Sequence, residues 1–276
     1  MSKGTILPVP FSLIRLDGVG STNDEARRLA LSGAAADLLV VSAIHQSEGR
    51  GRRSRPWISP AGNLHCSTLI RLDGNLGTAA QLGFAAAVAL VDTFRTLVPG
   101  AAFTCKWPND VLANGPGAGA GGAAGVMITG KCCGMLLEPV GREWLIIGIG
   151  VNVVAAPPPG ELLYPAASLA ELGFGGTDLD VLAAFADHFG PLVREWRRDG
   201  FAPIREAWLH RARGIGEPVV VRLEGETLTG LFAGLDAEGA LLLDQPSLGL
   251  RRIMAGDVYY PEAGSRPTES TQTPLG

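Results

Sequence analysis

The sequence is poor in cysteine, aromatic side chains and net positive charge. Its 276 residues include four cysteines and no C-x-x-C pair, which argues against a disulfide framework and against a zinc site. Aromatic residues make up 6% and the formal net charge is −4, so a protein devoted to nucleic-acid binding is disfavoured. We therefore expect a reduced, cytoplasmic protein that does not bind DNA, and residue spacing alone indicates no metal site.

Convincing membrane spans are also missing. The N-terminal apolar stretch is broken by Pro8 and Pro10, which makes it a poor signal peptide. Residues 74–91 are uncharged but contain polar side chains, so they predict a buried helix, and the Gly/Ala-rich residues 111–130 would span a membrane poorly. Hydrophobic residues still total 46%, enough for a folded core, and we expect no membrane association.

The N-terminal part of the chain alternates between strand and helix patterns. Strands are predicted at residues 11–20, 38–44, 64–72, 103–106, 110–112, 134–139 and 144–149. Helices are predicted after residue 21, over 78–98, after an N-cap at Asp178 with a kink at Gly190-Pro191, and over 203–213. Thr22 and Glu25 match a capping box, and Gly33 would close the first helix.

The pattern changes after Gly214 to short strands separated by turns. These strands are predicted at residues 219–223, 228–233, 240–244 and 250–254, a spacing typical of a small β-barrel. We therefore predict one domain over residues 1–213 and a second over 214–261. Residues 262–276 are rich in Ser, Thr and Pro and are predicted to be disordered.

The most unusual segment is a basic, glycine-containing loop. It reads Gly49-Arg50-Gly51-Arg52-Arg53-Ser54-Arg55-Pro56-Trp57. Guanidinium forks match the paired oxygens of phosphate and carboxylate groups, and glycine lets a loop close over a ligand. An RNA-binding patch or a solvated surface loop explains the charge equally well. One basic loop in an acidic chain favours a small phosphate-bearing ligand.

Three later segments combine polar residues with strand ends. They are Lys106-Trp107-Pro108-Asn109-Asp110, Gly130-Lys131-Cys132-Cys133-Gly134 and Gly148-Ile149-Gly150-Val151-Asn152. Each has a purely structural interpretation, such as an Asn/Asp turn or an edge-strand lysine facing solvent. In the functional interpretation, Lys131 points at an anion in a cleft. Residues 125–131 nearly match a phosphate-binding loop, but Cys132 replaces the Ser or Thr that would hold magnesium, so we reject it.

Taken in order, these segments resemble the biotin–protein ligases. The resemblance rests on Ser21-Thr22-Asn23, Gln46, GRGRxxRxW at residues 49–57, KWPND at 106–110, Lys131-x-x-Gly134 and Gly148-x-Gly150-x-Asn152. It covers residues 11–261, and the joint occurrence of the arginine and KWPND motifs is specific. It implies an α+β catalytic domain with a central mixed β-sheet and flanking helices, then an SH3-like β-barrel. It also implies the monofunctional type, without an N-terminal DNA-binding domain.

The resemblance implies an ATP-dependent enzyme with a protein partner. Such an enzyme forms biotinyl-5′-AMP from biotin and ATP, with Mg²⁺, and then transfers biotin to one lysine of a biotin carboxyl carrier domain. We expect a monomer or homodimer. The nearest rival is a lipoate–protein ligase, whose arginine-loop pattern differs. Two further candidates are an RNA-binding module and a catalytically dead biotin sensor.

The resemblance also implies a role for each matching residue. Biotin is expected to contact Ser21, Thr22, Asn23, Gln46, Arg50, Gly51, Arg52, Lys131 and Gly134. ATP or the adenylate is expected near Arg50, Arg52, Arg53, Arg55, Trp57, Lys106, Asn109 and Asn152. Lys131, Arg52 and Asp110 are the predicted catalytic residues. Asp110 could orient or deprotonate the carrier lysine, or be structural.

Three departures from the family pattern have predicted consequences. The Gly/Ala-rich residues 115–125 form an insertion, for which we expect a flexible hairpin tip. A Cys132 or Cys133 thiol facing the biotin pocket would make the protein sensitive to alkylation. Ser54 replaces a common glycine and would stiffen the arginine loop slightly.

Overall fold

A computed structural model describes residues 7–118, 125–158 and 165–261. The chain forms two compact units, one of Met1–Arg213 with Ala237–Gly239 and the other of Gly214–Asp236 with Ala240–Gly276. The predicted disordered tail, residues 262–276, lies outside the described residues. So do residues 119–124, which include the tip of the predicted flexible insertion.

The first unit is built on a seven-stranded mixed sheet, which confirms the predicted fold class. Its strands are β1 (Ser12–Val19), β2 (Leu39–Gln46), β3 (Leu64–Arg71), β4 (Ala102–Lys106), β5 (Asp110–Pro116), β6 (Met127–Val140) and β7 (Trp144–Val151). Their order across the sheet is β1-β2-β3-β7-β6-β5-β4. The β1 and β2 strands are parallel, because a helix connects them, and every other pair is antiparallel.

Helices cover both faces of this sheet. They are α1 (Thr22–Leu31), α2 (Gln81–Leu97), α3 (Asp178–Asp199) and α4 (Phe201–Leu209). Neighbouring residues of a strand point to opposite faces. On β6, Glu138 bonds to Asn23 of α1, whereas Leu137 lies against Gly83 of α2. The α1 and α2 helices therefore lie on opposite faces, and the α1 face will be called the site face.

The most apolar helix owes its composition to its burial in the core. Leu76–Leu97 is long and apolar enough to cross a membrane by composition, but 72% of its apolar window is buried inside the protein. It therefore serves as the core helix that residues 74–91 predict. On the site face, Ala26 and Leu29 of α1 pack with Leu69 of β3 and Ile146 of β7.

Two predictions about helix ends were wrong. The Thr22 side chain does not cap α1, because Thr22 is already the first helical residue and Ser21 is at the N-cap position. The Thr22 hydroxyl and main-chain N–H both donate to Gln46 Oε1, at 3.0 and 2.7 Å. The α3 helix is capped one residue earlier than predicted, by Thr177 instead of Asp178, and Thr177 forms a capping box with Asp180. The helix then runs through Pro191 as one element.

The second unit is a five-stranded antiparallel sheet, in agreement with the predicted SH3-like domain. Its strands are β8 (Pro218–Arg222), β9 (Thr227–Leu235), β10 (Leu241–Gln245), β11 (Gly249–Ile253) and β12 (Asp257–Tyr259), in the order β11-β10-β9-β8-β12. Val221, Phe232 and Leu241 are fully buried in it. The three-residue strand β12 was not predicted, because it is too short to show a period.

Candidate functional site

Three glycines on the site face let other residues lie directly on the sheet. Gly134 of β6 pairs with Gly150 of β7, and Gly148 is two residues before Gly150. A Cβ atom at Gly148 would come within 2.2 Å of Asn23 Oδ1, and one at Gly150 within 2.4 Å of the Trp57 ring. These two positions therefore require glycine, since any side chain would displace Asn23 or Trp57. The three glycines will be called the glycine floor.

Next to this glycine floor, one aspartate holds two lysines. Asp110 Oδ1 lies 2.7 Å from Lys131 Nζ, and Asp110 Oδ2 lies 3.4 Å from Lys106 Nζ. Lys106 is only 3% exposed. Burial alone would raise the pKa of Asp110, but the two ammonium groups outweigh it and hold that pKa below its usual value. The carboxylate is therefore ionised at neutral pH.

A β-bulge aims Lys131 at the site. Val111 of β5 pairs with Cys133 of β6, but Leu112 pairs with Lys131, so Cys132 is an extra residue in β6. In a regular strand, Lys131 and Gly134 would point to opposite faces. With the bulge, Lys131 Nζ comes within 2.8 Å of the Cβ position at Gly134 and 5.4 Å from the centre of the Trp57 ring. The ammonium thus lies above the glycine floor.

The start of α1 forms the other end of the site. Ser67 of β3 donates a hydrogen bond to Asn23 Oδ1 at 2.6 Å, and Asn23 Nδ2 donates to Glu138 at 2.8 Å. Ser21 and Asn23 are each 4% exposed. Gln46 accepts two hydrogen bonds from Thr22 and donates one to Ser59, at 3.2 Å. These contacts fix polar side chains where α1 meets β3.

The arginine loop is held by ion pairs. Arg50 makes two bonds to Asp24, at 2.7 and 2.6 Å, and lies 3.3 Å from Glu138. The hydrogen bond from Arg50 lowers the pKa of the Asp24 carboxyl. Arg52 donates to Asn109 Oδ1 at 3.2 Å, and Asn109 Nδ2 donates to the Met135 carbonyl at 2.5 Å. Arg52 is thereby tied to the KWPND segment.

The tip of the loop points outward. Arg53, Ser54 and Arg55 are exposed, and Arg53 and Ser54 have φ angles of 55° and 57°. Backbone hydrogen bonds close the loop below them, from Gly51 to Arg55 and from Trp57 to Gly49. Arg53 and Arg55 are therefore at the exposed end of the loop, while Arg50 and Arg52 are half-buried.

Asn152 lies at the end of β7 and contacts main-chain atoms. Its side-chain nitrogen donates to the Lys131 carbonyl at 3.3 Å and to the Ala167 carbonyl at 3.2 Å. The residue is 3% exposed. Its position near the adenylate remains a prediction. The side-chain amide nitrogen is already hydrogen-bonded to two main-chain carbonyls of the protein.

The expected alkylation sensitivity does not fit the structure. Cys132 and Cys133 are both 0% exposed. Burial raises the pKa of each thiol above its ordinary value, which suppresses the reactive thiolate. Both side chains belong to the core.

The acidic residues do not form a metal centre in the described part of the chain. Over residues 7–118, 125–158 and 165–261, no group of three or more His, Cys, Asp or Glu side chains is placed to hold an ion. The carboxylate beside the glycine floor, Asp110, faces two ammonium groups. Asp110 is therefore paired with cations in this structure and is not placed as a metal ligand.

Most of the predicted residues meet in one place. One end of the glycine floor is surrounded by Lys106, Asp110, Lys131, Trp57, Arg52 and Asn109. The other end is surrounded by Ser21, Thr22, Asn23, Gln46 and Arg50. Sequence reasoning missed Asp24, Ser67 and Glu138. Nothing local marks them, because their partners lie between 26 and 115 residues away along the chain.

A cationic cluster above a glycine floor, next to an arginine loop, is suited to binding carboxylate and phosphate groups. Residues 59–210 match the biotin/lipoate A/B protein ligase family, and residues 214–260 match the biotin protein ligase C-terminal domain. The chain belongs to the biotin/lipoate A/B protein ligase family.

Individual relatives agree with this assignment. The chain is 40% identical to a biotin–acetyl-CoA-carboxylase ligase of Paracoccus denitrificans, over 87% of this chain and 97% of the relative. It is 34% identical to the Mycobacterium tuberculosis enzyme of the same name, over 87% and 86%. A biotin protein ligase of Aquifex aeolicus, solved with biotin and ATP, has the same fold, with a TM-score of 0.73, 24% identity and coverage of 90% and 97%.

Proposed function

We propose that this protein is an ATP-dependent biotin–protein ligase. It forms biotinyl-5′-AMP and pyrophosphate from biotin and ATP, and then transfers the biotinyl group to one lysine of a biotin carboxyl carrier domain. The observation that carries the proposal is the bulge that places Lys131 beside Asp110, above the glycine floor and near Arg52. The relatives from Paracoccus denitrificans and Mycobacterium tuberculosis support the same reaction.

The first step joins two anions. A biotin carboxylate oxygen attacks the α-phosphorus of ATP, and the bond to the bridging oxygen of pyrophosphate breaks. In this proposal, the positive charges of Lys131 and Arg52 offset the repulsion between carboxylate and phosphate. Arg53 and Arg55, which project outward, suit the β- and γ-phosphates. Mg²⁺ fits this scheme as a companion of the ATP phosphates rather than as an ion held by the protein.

The second step needs a neutral amine. The carrier lysine nitrogen attacks the biotinyl carbonyl carbon, the bond from that carbon to the phosphate oxygen breaks so that AMP leaves, and the proton of the amine passes to solvent. The ionised carboxylate of Asp110 can accept a hydrogen bond from this amine and orient it. The lowered pKa of Asp110 makes it a weak base, so orientation suits it better than proton abstraction.

The polar residues at the start of α1 suit the ureido end of biotin. Ser21 is buried there. Asn23 is bonded to Ser67 and Glu138, and Gln46 to Thr22 and Ser59, and the amide nitrogen of each has a second N–H that could serve a ligand oxygen. We assign biotin and ATP binding to residues 1–213 and the C-terminal domain to 214–261. We also propose a cytoplasmic protein, monomeric or homodimeric, that modifies a carboxylase carrier.

The test is a two-step assay on purified protein. Biotin, ATP and Mg²⁺ should release pyrophosphate, and biotinyl-AMP should be recovered in the absence of a carrier. A carrier domain should then be labelled on one lysine, and replacement of that lysine by arginine should abolish labelling. Matched reactions with lipoate should be silent. Labelling with lipoate instead of biotin would assign the chain to the sister activity. If neither biotin nor lipoate led to pyrophosphate release, both activities would be refuted.

A further inference from the structure

The bulge at Cys132 needs support from outside β5. An extra residue interrupts the ladder locally, so its main-chain groups must find other partners. The Lys131 N–H donates to the Pro165 carbonyl at 2.8 Å, and the Lys131 carbonyl accepts from the Ala167 N–H at 3.0 Å. Residues 165–167 thus form a strap that runs along the main chain of Lys131.

Asn152 joins the strap to the bulge. Its main-chain N–H donates to the Cys132 carbonyl at 2.8 Å, just beyond the end of the β6–β7 ladder. Its side-chain nitrogen donates to the carbonyls of Lys131, in the bulge, and Ala167, in the strap. The Asn152 carbonyl then accepts from the Leu169 N–H at 2.9 Å. One buried side chain therefore ties together both segments that define the main-chain position of Lys131.

Two other residues fix this arrangement. Asn63 Oδ1 accepts hydrogen bonds from the N–H groups of Val153, Val154 and Ala155, at 3.0, 2.9 and 3.2 Å, so the chain after Asn152 is held firmly. A Cβ atom at Gly130 would lie 2.6 Å from the Ala166 carbonyl carbon. The strap can therefore approach β6 only because residue 130 is glycine.

We propose that Asn152 is a positioning residue, whose amide nitrogen holds the bulge and strap together and so aims Lys131 at Asp110. This inference rests on the proposed function for its catalytic consequence. It assigns to Asn152 an action through Lys131, in place of a direct contact with the adenine nucleotide through Nδ2. The side-chain oxygen is not part of the inference.

The replacements Asn152→Ala and Asn152→Asp separate the two roles. Asp keeps an oxygen for a nucleotide amine but has no N–H for the two carbonyls, so positioning predicts that both variants fail alike. We expect kcat for adenylate formation to fall about ten- to hundred-fold, with the KM for ATP changed less than about threefold. The matched controls are Asn114→Ala and Asn114→Asp, at an exposed position of β5.

Three kinetic results would contradict the positioning role of Asn152. A raised KM for ATP with unchanged kcat would indicate a nucleotide contact and overturn the proposal. Wild-type behaviour of Asn152→Asp would also overturn it. Gly130→Ala should reproduce the loss of kcat by pushing the strap away, and wild-type kcat in a folded Gly130→Ala protein would contradict the strap's role in placing Lys131.

A substrate-free measurement keeps this inference separate from the proposed function. In Asn152→Asp, hydrogen exchange at the amides of Ala167 and Leu169 should accelerate about fivefold or more, with no such change in Asn114→Asp. Unchanged protection would overturn the positioning role whatever the enzyme does. Accelerated exchange in a protein that does not use biotin and ATP would refute the proposed function and leave the positioning role standing.

Discussion

The indole ring of Trp57 occupies the space that a side chain at Gly150 would need. The ring atom Cε2 lies 2.4 Å from the Cβ position of that glycine, and the ring also reaches the Cβ position of Gly134, at 3.2 Å. The last residue of the arginine loop therefore rests on the central strands. The loop and the glycine floor form one structure, and a change in the floor must move the loop.

Gly150→Ala should weaken substrate binding. The new methyl group cannot coexist with Trp57 in its present position, so the loop base must shift. We expect biotin affinity to fall about tenfold or more, measured by calorimetric titration with and without ATP. Gly100→Ala is the control, because nothing lies within 4 Å of its Cβ position. Unchanged affinity in Gly150→Ala would show that Trp57 can move without cost.

Lys131→Ala should slow adenylate formation strongly. Loss of one preorganised charge at the reacting centre costs about a hundred- to a thousand-fold in rate. Single-turnover pyrophosphate release measures this step directly, and Lys131→Arg should retain part of the rate because it keeps the charge. Release at the wild-type rate from Lys131→Ala would remove Lys131 from the mechanism.

Arg52→Gly should leak the reactive intermediate. Arg52 bonds to Asn109 and so connects the loop to the KWPND segment, and its loss should loosen the cover over the adenylate. We expect faster release of biotinyl-AMP and labelling of lysines on proteins that are not carriers, both followed by mass spectrometry. Arg142→Gly, at an exposed turn, is the matched control. If the variant retains the adenylate as wild type does, Arg52 has no part in retention.

Neutralising Asp110 should change how stability depends on pH. A carboxyl with a lower pKa in the folded than in the unfolded state stabilises the fold above its unfolded pKa of about 3.9, and this contribution disappears as pH falls towards the folded pKa. The free energy of unfolding of the wild type should therefore fall more steeply below about pH 5 than that of Asp110→Asn. Urea denaturation over a pH series measures this.

The control for this series is Asp17→Asn, at an exposed position of β1. It should follow the wild-type pH dependence. Parallel curves for wild type and Asp110→Asn would show that the two lysines do not stabilise the ionised form.

A defect of Asp110→Asn limited to transfer from preformed adenylate would support orientation of the carrier lysine, and unimpaired transfer would leave Asp110 a structural role.

The native protein should resist thiol alkylation. All four cysteines are buried, and burial raises the pKa of Cys66 to about 12. Intact-mass measurement after treatment with iodoacetamide should show no added groups in the folded protein and four in guanidinium chloride. Rapid modification of Cys132 or Cys133 in the native state would mean that β6 opens locally.

The spacing of apolar residues predicted most of the fold, because burial of one face imposes a local pattern on each helix and strand. The seven strands of the first sheet and its helices lie near their predicted places, since apolar residues recur at intervals that each element dictates. The capping box at Thr22 failed for a long-range reason. Gln46, 24 positions later, accepts the hydrogen bond from the Thr22 main-chain N–H that a capping box would give to Glu25, and Glu25 pairs with Arg28 instead.

The candidate site also has parts that the sequence predicts and parts that depend on long-range contacts. Glycines and charged residues are visible in the sequence, so Gly134, Gly150, Lys131 and the arginine loop could be predicted. The bulge at Cys132 could not, because it arises from the register between β5 and β6 and leaves no mark on residue type. Without the bulge, an alternating strand would have placed Lys131 on the wrong face.

The ion pairs of Arg50 have a consequence for selection among anions. Asp24 and Glu138 already lie against its guanidinium group, so under the proposed function a carboxylate or phosphate that binds Arg50 would have to exchange with them. Simple attraction would admit any small anion in the cell. Exchange admits only those whose remaining contacts, at the glycine floor and the start of α1, make up for the pairs that are broken. Under the proposed function, two of the protein's own carboxylates would thus set the affinity that an anion needs in order to displace them.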